Sequence, residues 1–154
     1  MRLTTGLDQI DRHLVELLRT NARLSYAELA RQVGLSAPAV HERVGKLEAA
    51  GVIRGYRADV EPESIGLGVT AVIGIVQAGD TEIDDLVTRL RELPEIESCY
   101  FLAGQESFLL TVRVGTIAEL EDVVIRLNRL SGVAATRTTI ALSTKWEGRP
   151  RPLH

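Results

Sequence analysis

The sequence predicts an α+β fold in two parts: three short helices over residues 1–57, then a β-α-β-β-α-β unit over residues 67–145. Three observations carry this. Apolar residues recur at helical spacing up to Leu47, whereas β-branched and alternating runs dominate after Gly68. The polar stretch Asp59–Ser64, which contains Pro62, separates the two regimes, so residues 58–66 read as a linker. The second part also repeats itself weakly: DLVTRLRELPEI from Asp85 aligns with DVVIRLNRLSGV from Asp122, an offset of 37 residues. Residues 146–154 read as a polar tail, with Trp146 expected to pack on a neighbouring domain or subunit.

The first helix is expected from Asp8 to about Thr20, with Ile10, Leu14, Leu17 and Leu18 on one face and Asp8 as its N-cap. Ser25-Tyr-Ala-Glu28 is a capping box opening a second helix, and Gly34 suits its left-handed stop. Leu35 plugs the corner and Ser36 caps a third helix, Ala37 to about Ala50, with Val40, Val44 and Leu47 inward. Two short helices joined through a glycine turn have helix-turn-helix geometry, which fits a DNA-contacting unit or an ordinary helical corner. Small residues at the start of the third helix (Ser36, Ala37, Pro38, Ala39) would let it approach a groove floor. Arg43 and Lys46 suit phosphate or guanine, Glu42 suits cytosine, and His41 suits phosphate. The alternative is a solvated face with Glu42–Lys46 or Arg43–Glu48 pairs. Val52–Arg57 alternates between glycines and is expected as a short strand or wing, with Arg54 and Arg57 toward phosphate.

In the second part GVTAVIGIVQ reads as a central strand. A helix capped by Asp80 or Thr81 follows, burying Leu86, Val87, Leu90 and Leu93. IESCYFLAG and SFLLTVRV are the next two strands, joined by a tight connection at Gly104–Gln105. Thr116-Ile-Ala-Glu119 is a second capping box, opening a helix that stops at Ser131-Gly132, and VAATRTTIALS is the last strand. Two β-α-β halves about a pseudo-twofold give the ferredoxin-like arrangement, a four-stranded antiparallel sheet with both helices on one face. The other face is then open. Leu109, Thr111 and Arg113 should lie on it, with either Ala135/Arg137/Thr139 or Thr136/Thr138/Ile140, and an open apolar sheet face implies association into at least a dimer.

Bulk properties narrow the function. The net charge is −3, yet residues 1–60 hold nine Lys/Arg against seven Asp/Glu, and residues 61–154 hold nine against fourteen. Only the mildly basic first part suits phosphate. Cys99 is the single cysteine, which excludes an intrachain disulfide and fits a reducing cytosol; its mixed apolar run points to a buried thiol. No signal core precedes the first helix and no apolar run approaches the roughly 20 residues of a membrane span, so a cytoplasmic protein is expected. Neither metal-ligand spacing nor a nucleophile triad nor a phosphate loop is present, and no cofactor is expected.

The first 57 residues resemble the helix-turn-helix of the Lrp/AsnC, or feast/famine, regulators. The matching residues are Leu7-Asp8, Arg23 and Ser25, Glu28-Leu-Ala30, Gly34-Leu-Ser36, Val40, Arg43-Val44, Leu47-Glu48 and Gly51-Val-Ile53. The later part resembles that family's βαββαβ sensing module, so the likeness covers about residues 7–145. The resemblance implies a transcription regulator that binds double-stranded DNA through Ser25, Ser36, Ala37, Pro38, Ala39, His41, Glu42, Arg43, Lys46 and Arg54. It implies homodimers that assemble to octamers, with an amino-acid effector held between dimers by Gly104, Gln105, Glu106 and Ser107, aided by Thr138 and Thr139. The family's Gly-Asp-x-Asp-Tyr motif is Gly104-Gln-Glu-Ser-Phe108 here, without its usual acids. That departure leaves open a different effector, weak binding, or an effector-free DNA-organising protein. Some proteins resembling the family are sirohaem decarboxylases, but the only histidine in the later part is His154, in the tail.

Overall fold

The computed structural model describes residues 6–153, which fall into two compact units. One runs to Asp59 and includes the tail from Trp146; the other is Val60–Lys145.

In the first unit the helices are α1 (Gln9–Thr20), α2 (Tyr26–Val33) and α3 (Ala37–Ala49). Their ends are set by the expected residues. Asp8 accepts from the Asp11 amide at 2.8 Å. Ser25 and Glu28 close a full capping box, with the Glu28 amide donating to Ser25 at 3.1 Å and the Ser25 amide donating to Glu28 at 2.7 Å. Gly34 takes φ +71°, a conformation a Cβ would disfavour, and Ser36 accepts from the Ala39 amide. Leu14, Leu18, Leu29, Ala30, Val40 and Val44 form one core, with Leu35 and Ile53 packed against it.

The expected wing does not form. Residues 52–61 contain no strand, because the amides of Val52 and Ile53 both donate back to the Leu47 carbonyl. That bond pair finishes the helix with a turn, and Ile53 goes into the core instead of onto a ladder.

The second unit is β1 (Val69–Gln77), α4 (Ile83–Arg91), β2 (Ile96–Phe101), β3 (Phe108–Val114), α5 (Ile117–Arg129) and β4 (Val133–Ile140). A short 3₁₀ turn, Pro62–Ile65, precedes β1 within the stretch expected as linker. The strand order is β2-β3-β1-β4 and every pairing is antiparallel. Ala71, Ile73 and Ile75 of β1 meet Leu86 and Leu90 of α4 and Leu120, Val123 and Leu127 of α5 in one core. Ile73 is wholly buried, so truncating it to Ala removes about 2–5 kcal/mol.

The register decides which side chains line the other face. Thr70, Val72, Gly74 and Val76 pair across to Arg113, Thr111, Leu109 and, on β4, to Thr139, Arg137 and Ala135. The Ala135/Arg137/Thr139 set therefore lies there, and Thr136, Thr138 and Ile140 point to the helix side. Arg113 has the expected orientation but is only 7% exposed. Its guanidinium donates to Glu97 at 3.0 Å and to Thr70 at 3.0 Å, which pins it flat on the sheet.

Three local expectations are corrected. Neither Asp80 nor Thr81 caps α4; Glu82 holds the cap position without a side-chain bond. Thr81 belongs instead to a turn, its amide donating to Ala78 and its carbonyl accepting from Gln77. The Thr116–Glu119 box is half formed: Thr116 accepts from the Glu119 amide, but Glu119 reaches past the cap to the Gly115 amide. Cys99 is exposed, because β2 is an outer strand with a neighbour on one side only. Partial burial nonetheless pushes its thiol up.

Gly132, between α5 and β4, has φ +99°, and a Cβ there would stand 2.5 Å from the Thr81 methyl. Gly132→Ala is expected to lower stability by about 1–3 kcal/mol through the strained backbone alone. Urea denaturation should show this as a lower midpoint with an unchanged slope.

Candidate nucleic-acid interface and effector region

The face of α3 opposite its buried stripe is the candidate DNA surface. With Val40, Val44 and Leu47 buried, helical periodicity turns Pro38, His41, Glu42 and Lys46 outward, all exposed. Ser36, Ala37 and Ala39 sit at the helix start with no long side chain among them. Ser25 occupies the start of α2, where it is engaged in its capping box. Arg54 is exposed in the irregular stretch after α3.

Lys46 Nζ lies 2.8 Å from Glu42 Oε1, the pair expected for a solvated face. The hydrogen bond from Lys46 holds the Glu42 carboxyl below the usual carboxylate range. Both side chains are about two-thirds or more exposed, so this pair is screened and free to exchange for DNA. The His41 ring meets Tyr26 edge to face, with centroids 4.7 Å apart. Tyr26 thereby packs on a side chain of the candidate face from the preceding helix.

Arg43 does not share that face. It lies three residues after Val40 and four before Leu47, at the margin of the buried stripe. One guanidinium nitrogen reaches Asp8 at 2.7 Å and Asp11 at 2.9 Å. These hydrogen bonds raise the guanidinium pKa, while Asp8 is held below the usual carboxylate range first by the Asp11 amide and then by Arg43. The expected Arg43–Glu48 pair is absent. Glu48 instead accepts from the Tyr56 hydroxyl at 2.8 Å, and desolvation with that carboxylate pushes the phenol up to about 12.

The residues expected around an effector only partly converge. Gly104 and Gln105 are exposed in the β2–β3 connection. Glu106 folds over the open sheet face: a Cβ on Gly74 would lie 2.7 Å from its Cγ, and its carboxylate is 3.3 Å from Arg137. Ser107 is committed to the hairpin, its amide donating to Ile75 at 2.7 Å and its carbonyl accepting from Leu102 at 2.8 Å. The Gln77 amide reaches its hydroxyl at 3.4 Å. Thr139 lies on the open face near Arg137, whereas Thr138 is on the opposite side of β4. Thr138 and Thr139 therefore cannot reach one ligand within this chain. Arg137 and Gly74 were not among the expected site residues; only the cross-strand register, which pairs one with the other, brings them to Glu106.

Comparisons agree with this architecture. Residues 7–48 match the AsnC-type helix-turn-helix domain, and residues 70–150 match the Lrp/AsnC ligand binding domain. The chain is 41% identical over 147 residues to the HTH-type transcriptional regulator LrpA of Mycobacterium tuberculosis, covering 96% of this chain and 97% of that protein. It is 35% identical over 137 residues to the regulatory protein AsnC of Escherichia coli K12, covering 88% and 90%. Among solved structures, the feast or famine regulatory protein from M. tuberculosis complexed with L-methionine superposes with a TM-score of 0.88 at 41% identity. That match covers 95% of this chain and 99% of the other. The matches span both units and name regulators of transcription, not enzymes: the chain belongs to the Lrp/AsnC family and is a DNA-binding transcriptional regulator.

Proposed function

We propose that this regulator reads DNA with the exposed stripe of α3 and works as a homodimer closed by the open sheet faces. It acts in the cytoplasm and builds toward higher assemblies, and an α-amino acid binds beside Glu106 and Arg137. The observation that carries the DNA reading is the outward set Pro38, His41, Glu42 and Lys46 behind a start of small residues. Lys46 meets phosphate or guanine after releasing Glu42, and Ser36 and Arg54 supply backbone contacts, while Ser25, both of whose donors go to Glu28, sets the start of α2. Binding to a duplex from its own upstream region should weaken steeply between about 50 and 200 mM salt, with a log–log slope near −0.9 for each phosphate contacted. A fluorescence-anisotropy series showing no salt-sensitive, sequence-preferring complex would sink this reading.

For the effector, the supporting observation is the Glu106–Arg137 pair. A carboxylate and a guanidinium side by side match the ammonium and carboxylate of an α-amino acid, each replacing the other protein charge. L-methionine, the ligand of a structural relative, is the first compound to test. The expected result is a rise in melting temperature with one or more amino acids that is lost in Arg137→Ala. The second reading is an effector-independent DNA-organising protein, favoured by the commitment of Ser107 to the hairpin and by Gln105 at an acid position. No thermal shift with any common amino acid decides for it.

A further inference from the structure

We propose that the tail is a second DNA-binding element, which grips phosphates flanking the site read by α3. This rests on the DNA-binding reading above and extends it to residues that the helix-turn-helix does not contain.

The tail from Trp146 belongs to the first unit. Its attachment is specific: one Arg19 guanidinium nitrogen donates to the Arg151 carbonyl at 2.8 Å and to Glu16 at 3.3 Å. Arg19 is in the last turn of α1, and the connector Asn21–Leu24 leads from there straight to Ser25 and the start of α2. The bond through its carbonyl holds the Arg151 backbone and leaves its side chain outside the contact.

The sequence around that bond is Gly148-Arg-Pro-Arg-Pro152. Two prolines alternating with two arginines favour an extended backbone with little conformational freedom left to lose on binding. Gly148 takes φ +62°, a turn that redirects the chain before the arginines. Every described residue from Trp146 onward is exposed. Among the described residues, neither Arg149 nor Arg151 has a carboxylate within ion-pair reach, and Glu147 is itself engaged in an interaction. Arg23, in the connector, is exposed as well. Arg19, Arg23, Arg149 and Arg151 thus belong to the α1–α2 corner and the tail bonded to it, where Glu16 is paired with Arg19 and Glu28 is taken up by its capping box with Ser25. The first helix of a helix-turn-helix crosses the DNA backbone while the second enters the groove, so a basic arm at the entrance to α2 meets the phosphates beside the site.

The test uses the full chain, comparing wild type with the double variant Arg149→Ala/Arg151→Ala on a duplex of its own upstream region across about 50–200 mM salt. The double variant should bind roughly tenfold more weakly at low salt. Its log–log salt slope should be shallower by about 0.9 for each arginine lost per bound subunit. Arg149→Lys/Arg151→Lys should restore the slope, because a lysine still releases a counterion. Unchanged affinity and slope in the alanine variant would overturn the proposal, as would failure of the lysine variant to restore the slope. A loss of affinity that tracks a change of mass in sedimentation would also overturn it, by assigning the tail to assembly. Wild-type protein that binds no DNA defeats the α3 reading and this one together; wild-type binding with an indifferent tail defeats this one alone.

Discussion

Val72→Asp is expected to leave a single chain of 16.9 kDa in light scattering where the wild type, on the proposed closure of the open sheet faces, has at least twice that mass, with the circular dichroism spectrum of the fold retained. Val72 sits mid-strand on β1, directly between Thr111 and Thr139 on the open face, with Leu109, Val76 and Ala135 around it. In one chain it is only half-buried, so an aspartate there keeps access to water and the sheet survives. If two such faces close on each other, each copy carries its new charge into the seam, where an unpaired charge costs several kcal/mol. The dimer loses that amount at least once per chain. Val72→Thr adds no charge and should stay assembled. DNA affinity should fall together with the mass of the aspartate variant, on the order of 10²–10⁴-fold, because two linked heads bind far more tightly than one. An assembly of unchanged mass would show that another surface joins the chains.

The second large effect concerns Arg43. If it touched DNA, removing the acids that occupy it would release a positive charge and strengthen binding. The geometry points the other way: Asp8 and Asp11 hold Arg43 from the start of α1, so that α3 is fixed against α1. Asp8→Asn/Asp11→Asn is therefore expected to weaken binding to the preferred duplex by about tenfold, although it removes two negative charges from the DNA-facing unit. Binding to an unrelated duplex should strengthen slightly, so the ratio between the two narrows. Arg43→Ala should cause a similar narrowing, and combining it with the two asparagines should add little. Tighter binding of both duplexes by the asparagine variant would return Arg43 to the list of phosphate contacts.

The helix boundaries of the first unit were legible because their signals are local. Ser25 and Glu28 bind each other three residues apart, Gly34 marks the turn between them and Ser36, and the Val40–Val44–Leu47 stripe sets which face is left over. The order of the second unit was legible from the change of periodicity and the 37-residue repeat. What was not legible depends on partners distant in sequence. The acids that claim Arg43 lie 35 and 32 residues earlier, and Glu106 acquires Arg137 only through strand register. Local competition explains other departures. Val52 and Ile53 alternate like a strand, but the free Leu47 carbonyl captures both amides first. Thr81 has a capping side chain one position too early, because Glu82 takes the cap position.

The tail also bears on how the molecule comes to be made. The Arg19–Arg151 bond joins positions 132 residues apart, while the capping box and glycine turn of the helix-turn-helix close within about one helical turn. On the ribosome the three helices have their core in hand early, at a synthesis rate of roughly 5–20 residues per second. Their outermost clasp cannot be fastened until the intervening β-rich unit has been synthesised, several seconds later. A nascent chain therefore carries a formed reader without its clasp until Arg151 has been synthesised.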